Sequence, residues 1–117
     1  MAVRKAVHPK IIRPFRVIVF QEEAWLSARV LEYNLAAQAR TLDGLYVELE
    51  RVVLGHIAAR RAHGQEPFAE MPRAPKKYWE MFRRSKVPLP TQKFPIDIKK
   101  PTPLRIARPE VRVVATR

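Results

Sequence analysis

The chain has 117 residues, a net charge of +12 and no cysteine, and 47% of it is hydrophobic. That is enough apolar material for one packed domain with extensions, and too much for wholesale disorder. Without cysteine there are no disulfides or thiolate metal sites, which fits a reducing cytosol, and no apolar run approaches the ~18 residues needed to cross a bilayer.

Residues 1–13 read as a basic N-terminal arm. Pro9 and Pro14 bracket only Lys10-Ile11-Ile12-Arg13, so no apolar stretch of signal-peptide length follows. A cytoplasmic location is expected. From Phe15 the pattern turns strand-like, with Phe15, Val17 and Val19 on one side and Arg16, Ile18 and Phe20 on the other. Gln21-Glu22-Glu23-Ala24 has hairpin-loop length. Trp25 to Leu31 follows as a second strand and Leu35 to Arg40 as a third, with Leu35, Ala37 and Ala39 sharing a side. The small residues of the third strand let a helix or another chain approach closely.

Thr41 is placed to cap a helix, because its hydroxyl can accept a bond from an otherwise unpaired amide. Leu42, Leu45, Tyr46, Leu49, Val52, Val53 and Ile57 recur at three- and four-residue spacing and form one apolar face. The spacing predicts a helix over about 42–62, with Gly64 as its stop. Gly44 costs that helix up to ~1 kcal/mol relative to alanine. Val47, Leu54 and Ala58 fall on the opposite side and form a candidate association surface, so a homo-oligomer, a dimer, is expected.

Beyond Gly64, prolines at 67, 72 and 75 interrupt the backbone. Residues 76–86 can form a short helix with Tyr78, Trp79 and Phe82 on one face and Lys77, Arg83, Arg84 and Lys86 around it. Aromatics interleaved with cations suit a single-stranded nucleic acid. Three large apolar groups on one helix face also suit docking onto the domain, which is the favoured reading. Pro88, Pro90, Pro95, Pro101, Pro103 and Pro109 then predict an extended tail, with Val111 to Ala115 as a last edge strand.

Charge is segregated along the chain: net +5 over residues 1–20, −3 over 21–72 and +10 over 73–117. Basic flanks are drawn to RNA, DNA or an acidic protein face, although charge also serves solubility alone. Catalytic signals are missing. His56 and His63 lie seven residues apart, which is not zinc-ligand spacing, and no further ligands accompany them. The acids are scattered, the three glycines make no phosphate loop, and neither Ser27 nor Ser85 sits in a nucleophile motif. No enzyme, metal or cofactor is expected.

The order of elements from Trp25 to Leu45 resembles the HicB-like antitoxin domain. In that family a strand ending in an acidic-aromatic turn, here Glu32-Tyr33, precedes a small-residue strand and a Thr-Leu-acidic helix start, here Thr41-Leu42-Asp43. The resemblance covers about residues 14–63. It implies a small folded domain that pairs with a ribonuclease toxin and blocks it. The family's sheet is related in outline to a ribonuclease-H-like fold, but this chain lacks a set of aspartates to hold paired metals.

The expected architecture is therefore α+β: an antiparallel three-stranded sheet with one long packed helix over residues 14–64, followed by a basic, proline-rich extension over 65–117. The expected function is a non-catalytic protein-binding module resembling a type II antitoxin. The alternative is a small basic nucleic-acid-binding accessory protein. Candidate contacts to the partner protein or nucleic acid are Lys76, Lys77, Tyr78, Trp79, Arg83, Arg84, Lys86, Lys99, Lys100 and Arg105.

Overall fold

The computed structural model describes residues 10–91, 96–99 and 103–114. In chain order its elements are β1 (Lys10–Ile12), β2 (Arg16–Glu22), β3 (Trp25–Val30), β4 (Leu35–Ala39), α1 (Leu42–Ala62), α2 (Lys76–Arg84), β5 (Val87–Leu89), β6 (Ile96–Ile98), β7 (Leu104–Ile106) and β8 (Glu110–Val113). The antiparallel β2–β3–β4 meander, the long helix and the short helix lie where periodicity places them.

The expected single antiparallel three-stranded sheet is incorrect. The described strands form a five-stranded mixed sheet, ordered β4-β3-β2-β8-β5, and a three-stranded sheet, ordered β1-β7-β6. β8 lies parallel to β2, with Val17 opposite Val111, and β5 runs antiparallel to β8. In the second sheet β1 is parallel to β7, and β6 is antiparallel to it. The tail is therefore not a simple extension: it supplies a second helix and four strands. Nor is the last strand an edge, since β8 lies between β2 and β5. Ala115 and Lys100 lie outside the described residues.

Local chemistry explains the meander and α1. A two-residue link, Glu23-Ala24, joins β2 to β3, with Glu23 at φ 57°. Asn34, a residue that tolerates the left-handed region, turns the chain into β4 at φ 52°. The Thr41 hydroxyl accepts the Gly44 N–H at 3.1 Å and caps α1. A methyl group on Gly44 would sit 3.0 Å from that hydroxyl and 3.4 Å from Ala39 Cβ, so glycine there clears space for cap and strand. At the far end Gly64, at φ 66°, takes the chain out of the helix.

The two helices cover opposite faces of the large sheet. Leu45, Leu49, Val53 and Ile57 of α1 join Val17, Val19, Ala28, Val30, Ala37 and Val111 in the main core. Each of these leucines, valines and the isoleucine contributes roughly 1.5–3 kcal/mol by burial. Ile12, Leu104 and Ile106 of the small sheet extend this core together with Phe68. On the other face Ile18 and Leu31 pack with Ala74, Tyr78 and Phe82. β2 is thus buried on both sides, as its unbroken run Val17-Ile18-Val19 reflects.

Candidate binding face

α2 places the cationic segment on the surface. It starts after Pro75, whose φ of −54° suits a first turn, and ends where Ser85 becomes extended. Tyr78 and Phe82, four residues apart, point at the sheet with 9% and 4% exposure. The Tyr78 ring lies 5.7 Å from that of Phe20. Trp79 is half-buried and donates from Nε1 to the Ala74 carbonyl at 3.2 Å. Ala74 in turn donates its N–H to Leu31 O at 2.8 Å, tying the approach to α2 onto the end of β3. Docking of the aromatics onto the domain is what the structure contains.

Their rings carry cations from four separate parts of the chain. The Arg29 guanidinium stands 4.4 Å from the Tyr78 ring. Arg73 and Arg16 stand 4.1 and 5.2 Å from the Trp79 ring. Arg112 lies 4.2 Å from the Phe82 ring and donates to the carbonyls of Phe82 and Ser85 at 3.0 and 3.2 Å, where the negative end of the α2 dipole lies. Contacts of this kind contribute about 0.5–1 kcal/mol at exposed sites. They also hold the guanidinium groups in place.

The outer surface of this layer is cationic. Residues 73–86 hold six Lys/Arg and one acid, Glu80. Lys76 reaches Glu80 at 4.0 Å, an exposed pair worth little. Among the described residues Arg73, Lys77, Arg83, Arg84 and Lys86 are all exposed and none makes an ion pair with a carboxylate. Across the sheet, α1 balances three acids with three arginines. The α2 layer, residues 73–86, therefore carries a net charge of +5.

The remaining predicted residues lie elsewhere. Lys99 follows β6, and Arg105 on β7 pairs with Asp97 at 3.8 Å. Both belong to the three-stranded sheet and not to the α2 layer. Val47 is 46% exposed, Ala58 is exposed and Leu54 is half-buried, all on α1. Arg16, Arg29, Arg73 and Arg112 belong to the binding face but escape sequence reasoning: strands far apart in the chain bring Arg16, Arg29 and Arg112 together, and Arg73 joins them from the segment before α2. The available signal was an arginine at an alternating strand position, on the same side as Ile18.

An open groove of about 280 Å³ lies beside α2, lined by Phe20, Glu22, Ser27, Arg29, Ala36, Gln38 and Tyr78 among others. Within the described residues both histidines hydrogen-bond the backbone. His56 Nε2 accepts the Phe68 N–H at 3.0 Å, and His63 Nδ1 contacts the Ala59 carbonyl at 2.9 Å. Among the described residues no three His, Asp or Glu side chains gather to hold a metal ion, and no helix is long and apolar enough to cross a membrane. Comparisons with protein-family models, curated proteins and solved structures found no match to the chain.

Proposed function

We propose that the protein is a non-catalytic binding module that lays its α2 face on an acidic surface of a partner protein. The observation that carries this reading is the set of five exposed cations without carboxylate partners, three on the firmly docked helix α2 and two, Arg73 and Lys86, flanking it. A rigid platform loses little entropy on binding, and complementary charge steers encounter. The arrangement also argues against base stacking, since Tyr78 and Phe82 face inward and Trp79 has arginines near its ring. Steric exclusion of the partner's substrate is the mechanism; a ribonuclease toxin, which the resemblance to HicB-like antitoxins implies, would have to be held at an acidic surface beside its cationic RNA site, since like charges repel. The absence of cysteine supports a cytoplasmic setting.

The test is purification of the full chain from its native lysate, with and without nuclease, over a salt series. Alongside it runs the triple variant Arg83→Glu, Arg84→Glu, Lys86→Glu. A discrete protein should co-purify after nuclease treatment and bind the variant at least about tenfold more weakly, because reversed charges then face an acidic surface. Recovery of RNA or DNA alone, lost at moderate salt, overturns the reading and establishes the nucleic-acid alternative through counterion release.

A further inference from the structure

We propose that two copies of this chain pair edge to edge through β4, antiparallel and centred on Ala37, to make one continuous sheet. β4 is an end strand of the five-stranded sheet, paired with β3 on one side and with no described strand on the other. Its sequence, Leu-Ala-Ala-Gln-Ala, holds no charge and no proline. The opposite end strand, β5, is three residues long and contains Pro88, features that discourage a further strand. β4 has neither protection, so its outward N–H and C=O groups form a template for pairing.

Self-complementarity identifies the occupant as a second copy. Centring on Ala37 is the register that pairs all five residues of both strands. It sets Leu35 opposite Ala39 of the second copy, and Ala36 opposite Gln38. Like charge on two chains of +12 opposes association, but β4 itself is neutral, Arg40 after it is held over the Trp25 ring at 4.6 Å, and Arg29 and Glu22 beside it are of opposite sign. Arg29 neighbours Ala36 across the β3–β4 ladder. It has no carboxylate partner, it donates only to Asn34 and Tyr78, and its Nε is buried without a hydrogen bond. Glu22 has no cationic partner, and its carboxylate lies 3.5 Å from the Gln38 amide. Pairing about Ala37 therefore sets Gln38 of the second copy, with Glu22 beside it, across the small Ala36 from Arg29. The two-fold axis repeats this arrangement. It also puts both α1 helices on the same face of the joined sheet.

Sedimentation of the full chain across the micromolar range tests the proposal. Wild type should reach twice the mass of one chain. The double variant Ala36→Lys, Gln38→Lys sets like charges directly opposite in both symmetric pairs. It should raise the midpoint concentration of self-association by roughly tenfold or more. The double variant Ala36→Glu, Gln38→Lys sets opposite charges in the same places and should associate at least as well as wild type. Both positions are exposed, so thermal melting should show all three proteins folded. A wild type that stays monomeric, or two variants that associate alike, overturns the proposal. None of the five exposed cations of the α2 layer takes part in this edge, so its failure leaves the reading of those cations intact.

Discussion

His56 ties a proline-broken loop to α1 through a single acceptor atom. Its Nε2 accepts the Phe68 N–H at 3.0 Å, and its ring lies 4.8 Å from that of Phe68. Phe68 needs this support, since a bulky residue at φ 66° is strained. The Tyr33 ring braces it from another side at 4.7 Å. Burial, and then the charge of Arg60, hold the His56 pKa below the ordinary histidine value. A lowered folded value means that protonation opposes folding. The stabilising effect is complete above the unfolded value of about 6.5 and is lost as pH falls from there through the folded value. The melting temperature should therefore drop between about pH 7.5 and 5.5. His56→Gln keeps an acceptor but does not titrate, so its melting temperature should depend less on pH over that range. Equal slopes for the two proteins would remove His56 from this role.

At the scale of elements, α1 was legible because its cap, its apolar stripe and its stop agreed and outweighed Gly44. Thr41 caps it, Gly64 ends it, and the stripe through Leu49 and Val53 faces the sheet with 1% and 0% exposure. Leu49→Asp should bury an unpaired charge in the main core and cost more than about 4 kcal/mol. Circular dichroism should show loss of the cooperative melt. An unchanged midpoint would mean that the stripe contributes little to stability. The short strands β5, β6 and β7 were legible only as extended backbone, and β8 as a strand whose place inside the sheet was not. Three or four residues flanked by prolines carry no alternation long enough to reveal a partner. For the binding face, α2 and its outward lysines and arginines could be read directly from helical spacing. The arginines of β2, β3 and β8 that stand beside its rings could not.

For the whole molecule, the tail belongs to the core. Ending the chain at Met71 would remove α2, β5 and β8, uncovering Ile18 and the flank of β2 that pairs with β8. Such a protein should lose cooperative unfolding and aggregate, as exposed apolar sheet does. A sharp, reversible melt would instead show that residues 14–64 suffice to fold. By itself the amino-acid sequence determined the meander, both helices, the inward face of α1 and the cationic character of the last third. These depend on local periodicity, capping and composition, which act over a few residues. Only the tertiary structure decided that β8 enters the sheet parallel to β2, that a second sheet joins β1 to β7, and that scattered arginines meet around α2. Those features depend on contacts between residues about ninety positions apart, whose pairing is set by the burial of Val17, Ile18 and Val111 together. One hint was present in β2, where apolar residues follow one another without alternation. A strand of that kind is covered on both faces, and a single helix can cover only one.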